Sequence, residues 1–526
     1  MSLKPLDLAV FALYMLLLVG VGVAFARRQK GLRSYLLADQ NIHWIIVAIS
    51  VLAALFSGIT YLGAPTESYF NDLSYLWVIA SFFLATPITT LVFLPFFRRL
   101  NLYTAYEYLE RRFDRRLRRL ASALFVLRVT FYLALAVYAP ALAVVEITGW
   151  PLWLCVTLTG LAATAYTTLG GMKAVIWTDS VQFLVLCGGI VLILAFAVAA
   201  VPGGLPAAWQ LAAAKGRTRF VHLDLDPTVR ITVWGALLGG TCHNLVQMVT
   251  DQISVQRYLT ARSLAECQRA LWLKLAVTLP LVALFYLTGT ILFGYYQAYP
   301  GRAPVLDAAG HVVTRAECAA DAPPRPLDQG RDRLLPFFVV RQLPTPLPGL
   351  LIAAVFGATM AVVSAGINAL ATATLMDFGL AGGEARRSER QQFLLARALT
   401  VVFGILALLL ALVIGRLGTL VEATVSIMGL FGGPLLGVFF LGVLSRRANG
   451  NGALAGAAAG AVAGFLVAFS RYFLPWPISF LWTAFAAAGV TFVTGWVVSR
   501  LFAAPPPAAL EFVFWKGRPP GRKGGV

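Results

Sequence analysis

The residue in this chain best placed to do chemistry is an acid in apolar surroundings. Asp179 lies in YTTLGGMKAVIWTDSVQF, residues 166–183, which runs directly into LVLCGGIVLILAFAVAAV, residues 184–201. A carboxylate at the mouth of a membrane span costs on the order of a few kcal/mol, so it is kept for a function or held by a partner. Three chemistries are open to it. It can help hold a cation, it can carry a proton, or it can sit as a helix N-terminal carboxylate favoured by the macrodipole and paired with Lys173. A second charged residue, Arg128, lies about ten residues into an apolar stretch, LFVLRVTFYLALAVYAPALA, residues 124–143. Its five donors in a fork suit an anionic carboxylate, while its long stem also lets it snorkel to an interface or form a structural ion pair. A third group is spread over WGALLGGTCHNLVQMVTDQISVQRYL, residues 234–259, with His243, Asn244, Gln247 and Asp251. His243 can change charge near neutral pH or simply be hydrogen-bonded in place. Asp251 fits a helix cap or gate partner. The four histidines (His43, His222, His243, His311) show neither zinc-ligand spacing nor a nucleophile–base pattern, which argues against an enzyme.

The elements that must position these residues are membrane helices. Of the 526 residues, 59% are hydrophobic and 12% charged, with mean hydropathy +0.79. A soluble protein would carry about twice that charge. Long apolar stretches recur, so the chain is an all-α polytopic membrane protein and not a β-barrel. About thirteen spans are predicted, near 6–26, 43–69, 74–97, 118–147, 150–168, 175–201, 229–250, 271–297, 348–375, 393–415, 418–444, 452–472 and 476–500. The long connections are 202–228 and 298–347. The net charge of +19 does not signal nucleic acid, because most of the 42 basic residues fall in alternate connections. These include Arg27, Arg28, Lys30, the run from Arg98 to Arg119, Arg257, Arg262, Arg269, Lys274, Arg386, Arg387 and the tail. The positive-inside rule then puts the N-terminus outside and the C-terminus inside. Only Lys4 precedes the first apolar run, which reads as a retained helix and not a signal peptide. Five scattered cysteines give no metal spacing and no expected disulfide between external loops. The membrane domain is expected over 1–502, followed by a basic, Pro-rich tail, 503–526, suited to an anionic inner leaflet. Richness in Ala, Gly and Arg points to a bacterium, hence its inner membrane.

Two of these spans carry helix breakers beside polar residues. The second, AISVLAALFSGITYLGAPTESYF, has Gly58, Gly63 and Pro65, and the seventh has Gly239-Gly240. The ninth, AAVFGATMAVVSAGINALATATLMD, is also rich in small and polar residues. Broken helices persist in a membrane where the freed backbone faces protein, ions or water, and a pair five spans apart points to a transporter of inverted repeats. By contrast Gly452, Gly456, Gly460 and Gly464 recur every four residues without polar neighbours, a packing ladder.

The wording of several segments is specific. YTTLGGMKAVIWTDSVQF and FGGPLLGVFFLGVLSRRANGNGALAG, residues 431–456, resemble two signatures of the sodium/solute symporter family, and DQISVQRYLTARS and INALATATLMD match in position. The resemblance spans about residues 6–500, and YAPALAVVEITGW and DRLLPFFVVRQLPTPLPGL look most like the iodide, monocarboxylate and multivitamin branch. It implies a five-plus-five inverted-repeat (LeuT-type) core, with repeats at 43–201 and 229–444, an extra helix at 6–26 and two C-terminal helices at 452–500. It also implies alternating access coupled to Na+. The implied sodium ligands are the carbonyls of Ala53, Phe56 and Ala358. Ala361 and Val362 stand where the family usually has hydroxyls, a departure that puts sodium coupling in question. Asp179 with Ser364 matches an additional sodium site of some members. The implied solute region comprises Thr60, Tyr61, Arg128, Tyr132, His243, Asn244, Gln247 and Asn368, and Thr at position 60 looks more like monocarboxylate than iodide carriers. The expectation is therefore a sodium-coupled carrier of a small organic solute, preferably a carboxylate, in a lipid bilayer, with no nucleic acid and no obligate protein partner. A proton-coupled or uncoupled permease, or a sensor that binds solute without moving it, are the alternatives.

Overall fold

The computed structural model describes residues 4–26, 42–100, 104–258, 260–307, 312–318, 325–327, 331–378, 388–414 and 419–514. The basic residues Arg27, Arg28, Lys30, Arg386 and Arg387 and the end of the tail lie outside the described residues. The main helices are α1 (Pro5–Ala26), α2 (Trp44–Leu55), α3 (Gly58–Phe70), α4 (Leu76–Arg98, bent at Ser81 and with a wide turn at Thr89–Phe93), α5 (Arg115–Thr148) and α6 (Leu152–Ala200). The second half adds α7 (Val233–Leu245), α8 (Gln252–Tyr258), α9 (Leu264–Ala298), α10 (Leu347–Asp377), α11 (Glu389–Ile414), α12 (Leu420–Leu444), α13 (Gly450–Ala468) and α14 (Trp482–Val498). Among the described residues nine helices are long and apolar enough to cross a membrane, or up to ten with the bent α2–α3 pair. Where two spans were expected at 150–168 and 175–201, residues 152–200 are helical without a break; the stretch packs on α11 at Gly160 against Leu408 and on α10 at Gly189 against Leu351.

Polar caps set several helix starts. Asp114, Thr232, Ser263, Thr419 and Asn449 each accept a backbone N–H from the first turn of the helix that follows. The ladder glycines behave as packing residues. A Cβ at Gly456 or Gly460 would run into the backbone of α14, so the two helices meet at backbone contact. α10 is the axle of the bundle, since 94% of its most apolar window is buried and it has no lipid face.

The bundle has two ends. One carries the long connections, the N-terminal end of α1 and the start of α10, tied by Gly349 N donating to Asp7 Oδ1 at 3.2 Å. We name this the loop face. The other carries the starts of α5 and α9 and the end of α10, and we name it the arginine face.

The two expected breaks are both present, one of them elsewhere than the sequence pattern placed it. α2 and α3 meet at Phe56–Ser57 with a bend of 60°. Gly63 and Pro65 lie inside α3, where Gly63 makes room for Val421. The break in the seventh span is not at Gly239-Gly240. Both glycines sit inside α7, where a Cβ would strike the Leu481 carbonyl or Ser81 Oγ and Val78. The helix instead widens over Val246–Thr250 and opens at Asp251, which is extended (φ −84°, ψ 112°). Asp251 Oδ1 then accepts Ile253 N at 2.9 Å and so starts α8.

Candidate functional site

The site is built at the α2–α3 break. α2 stops at Leu55, so its last carbonyls, Ala53 among them, have no partner further along the helix. α3 starts at Gly58, and Ser57 gives it no side-chain cap. A partly negative helix end and a partly positive helix start therefore lie next to each other in the middle of the bundle. Gly58 is required for this arrangement. A Cβ there would lie 2.7 Å from Thr359 Oγ1 and 3.4 Å from Val355 on α10. Ala358, Ala361 and Val362 are all buried on α10. The hydroxyl of Ser364 serves its own helix, donating to the Ala361 carbonyl at 3.1 Å. Among the described residues no cluster of three or more His, Cys, Asp or Glu side chains could hold a metal. An ion at the break would therefore rest chiefly on backbone oxygens, which suit a hard cation.

Beside the break lies a cavity of about 140 Å³. Six of the expected residues line it: Phe56, Thr60, Tyr132, His243, Asn244 and Gln247. Asn244 is held by donating to Val78 O at 3.2 Å and to Ser81 Oγ at 2.9 Å. Three expected solute residues are not in it. Tyr61 packs edge-on against Phe285, with ring centroids 5.5 Å apart, and its hydroxyl turns toward Gly189. Asn368 is buried in α10, with both amide atoms unpartnered. Arg128 is turned to Asp251, with Nη2 3.0 Å from Oδ1, and lies over the Phe125 ring. It neither snorkels nor reaches the cavity, because Asp251 at the second break takes its charge.

Several walls of the cavity carried no clear signal. Thr278, Val282 and Tyr286 recur every four residues on one face of α9, and Phe82 and Thr424 close other sides. The α9 spacing is legible in hindsight, but an apolar helix face with an occasional Thr usually means packing. Two basic residues counted as loop charges, Arg257 and Lys274, are 1% exposed and belong to α8 and α9.

Charge is arranged in two layers. On the arginine-face side Asp179 Oδ2 accepts from Ser50 Oγ and from Arg257 Nη2, each at 2.9 Å. Arg257 Nε donates to Ser50 Oγ at 3.0 Å, which closes the triangle. The carboxylate is thus satisfied by Arg257; no hydrogen bond joins it to Ser364, and Lys173 lies outside the described side chains. Arg118 and Thr104 hold Asp377 nearby, each at 2.7 Å. On the loop face Arg230 clamps Glu67 with two nitrogens and reaches Glu422 at 2.9 Å. Behind it Asp332 accepts Leu420 N at 3.2 Å, and burial pushes its carboxyl up to about 6.

Known proteins resemble this chain over most of its length. The model of the sodium:solute symporter family matches residues 35–460. The sodium-dependent multivitamin transporter of Oryctolagus cuniculus is 35% identical over 460 residues, covering 86% of this chain and 68% of that protein. Sodium-coupled monocarboxylate transporter 2 of Mus musculus is 32% identical over 479 residues, covering 90% and 74%. A solved structure of a sodium-coupled sialic acid symporter, substrate-bound and outward-open, superposes with a TM-score of 0.82 at 28% identity, covering 95% of this chain and 99% of that one.

Proposed function

Because the chain belongs to the sodium:solute symporter family, we propose that it moves a small carboxylate inward with sodium through the cavity beside the Phe56–Ser57 break. Sodium-coupled symport of a small organic solute across a membrane comes with the family, and so does the absence of enzyme chemistry. The carboxylate, its ligands and the direction are the finer reading.

The observation that carries it is the cavity itself. Thr60, Tyr132, His243, Asn244 and Gln247 offer neutral hydrogen-bonding groups around a space of about 140 Å³ at the start of α3. Free N–H groups at a helix start favour an anion. A cavity of about 150 Å³ takes a benzene-sized guest, so the space suits a short acid of about six heavy atoms. That size fits the monocarboxylate relatives better than a vitamin. Sodium takes the opposite pole, on the carbonyls of Ala53 and Phe56 with Ala358 across the gap. Asp179 and Ser364 join this scheme once Arg257 releases the carboxylate, whose Oδ1 has no hydrogen-bond partner. The arginine face lies in the cytoplasm of a bacterial cell by the positive-inside rule, with the loop face outside. Tyr61, Arg128 and Asn368 support the site from outside the cavity.

A second reading, proton-coupled or uncoupled transport, is favoured by Ala361 and Val362, which offer no side-chain oxygen to sodium. Uptake of short monocarboxylates into proteoliposomes, with Na+, K+ and pH gradients imposed separately, decides between the two. Accumulation only under an inward Na+ gradient is expected. Uptake that follows the pH gradient, or ignores sodium, supports the second reading, and binding without flux supports a sensor.

A further inference from the structure

Lys274 puts an ionisable amine in a place where, among the described residues, every other buried cationic side chain is engaged. It lies well inside α9 and is 1% exposed. Among the described residues no carboxylate comes within ion-pair distance of its Nζ and no hydrogen bond reaches it. Its neighbour is the face of Phe82, whose ring centroid is 4.2 Å from Nζ. The other deeply buried cations are all engaged. Arg112 donates to the carbonyls of Gly442, Ser445 and Ala448, Arg128 faces Asp251, and Arg257 pairs with Asp179. Even when desolvated, a cation over an aromatic face gains less than an uncompensated buried ion costs. Packing needs are met as well by Met or Leu at such a position, so the ammonium is an expense without a structural return.

Its location suggests what the charge is for. Phe82 is a wall of the solute cavity, and Thr278 and Val282, one and two turns further along the same face of α9, are walls too. Lys274 therefore lies one ring away from the cavity, at its arginine-face end. Among the described residues, the walls of the cavity themselves carry no Lys, Arg, Asp or Glu.

We propose that Lys274 is the counter-ion of the solute carboxylate, reached when the Phe82 ring turns aside. The inference rests on the cavity being the solute site. The ammonium is a compact charge with three rotatable donors, so it can follow a carboxylate without a fixed fork geometry. Its charge is compensated only while an acid is bound. That selects acids over their isosteric amides, because the amide would leave the ammonium unpaired.

The test uses the full-length protein in proteoliposomes under a Na+ gradient, with the monocarboxylates from acetate to hexanoate and their amides as probes. Lys274→Met, Lys274→Gln and Lys274→Arg are compared with wild type. Lys274→Met and Lys274→Gln are expected to raise KM for the acids by about tenfold or more and to lose the preference for acid over amide. Lys274→Arg keeps that preference in part. Solute-free Lys274→Met should melt at a higher temperature than wild type, because an unpaired buried charge is gone. A merely structural lysine would give the reverse, and failure of both neutral variants to fold would contradict the inference. Unchanged KM and unchanged acid preference in the neutral variants overturn the role of Lys274 and leave the proposed function standing. A wild type with no preference for acids overturns the carboxylate reading and the role of Lys274 with it.

Discussion

The charged layer near the arginine face and the one at the loop face are built from the same residue types, yet they differ in how much water reaches them. Asp179 and Arg257 have side chains 0% and 1% exposed, and Arg128 with Asp251 is nearly as dry. Arg230 and Glu422 are 33% and 34% exposed, although Glu67 is buried beneath them. Separating an exposed pair costs about 0–1 kcal/mol, since water takes over each partner. Separating a buried pair strands a charge and costs about 3–5 kcal/mol. The outer Arg230–Glu422 contact can therefore open by thermal motion, whereas the Arg230–Glu67 pair beneath it and the arginine-face layer open only if another interaction offsets the loss. The ion and the solute are the available sources of that interaction, which is what coupled transport requires. The position of the pairs fits this use. Arg257 and Asp251 belong to the broken seventh span, and Asp179 ties α8 to α6 and, through Ser50, to α2.

The largest effect is expected from breaking the dry layer on one side only. Arg257→Met strands the Asp179 carboxylate and should lower stability by about 3–5 kcal/mol, read as a fall in melting temperature in detergent. Adding Asp179→Leu should restore most of it. Equal melting of Arg257→Met and wild type would mean that the two layers do not differ.

A smaller effect concerns Asp332, under the loop-face clamp. Burial pushes its carboxyl up to about 6, against the donation from Leu420 N, so the folded chain holds this proton more tightly than the unfolded one. Its contribution is then fully present below the ordinary value of 3.8 and is lost as pH rises to about 6. Asp332→Asn should flatten that part of the stability profile and raise stability at neutral pH by up to about 3 kcal/mol. A profile unchanged by the substitution would show that Asp332 is not part of the buried end of the clamp.

The smallest effect on stability belongs to the wet pair itself. Glu422→Gln should change it by no more than about 1 kcal/mol. It should nevertheless loosen the clamp, so that a cysteine placed at Thr60 reacts faster with a membrane-impermeant thiol reagent added from the loop face. Slower or unchanged labelling would mean that Arg230 does not close this side.

How much of this was legible in the sequence depends on distance along the chain. Membrane character, the break near Gly58 and the polar residues beside the breaks are local properties, and four of those residues, Thr60, His243, Asn244 and Gln247, do meet in one cavity. Gly239-Gly240 reads as punctuation in the sequence and so misplaces the second break, whereas those glycines serve close contact with Leu481, just before α14, and with α4. The actual break depends on a widened turn and an aspartate that caps the next helix, and neither leaves a composition signal. Arg257 reads as a loop charge because hydropathy places helix ends only to within a few residues, and Lys274, inside the expected span 271–297, reads with the basic run just before it. Arg257 finds its carboxylate 78 residues away, which no local pattern contains. Asp179 is legible as an acid in apolar surroundings, but its partner Arg257 is not, for the same reason.

The central claim is that sodium and solute meet at the one break, on opposite helix poles. Linkage requires each to tighten the other by the same factor. The most direct measurement is equilibrium binding of a short monocarboxylate to the purified protein across a range of Na+ concentrations, paired with Na+ binding across a range of solute. Reciprocal tightening is expected in wild type, and the loss of both affinities in Gly58→Val, whose side chain would collide with Thr359 and Val355. Solute affinity that does not change with Na+ would contradict it.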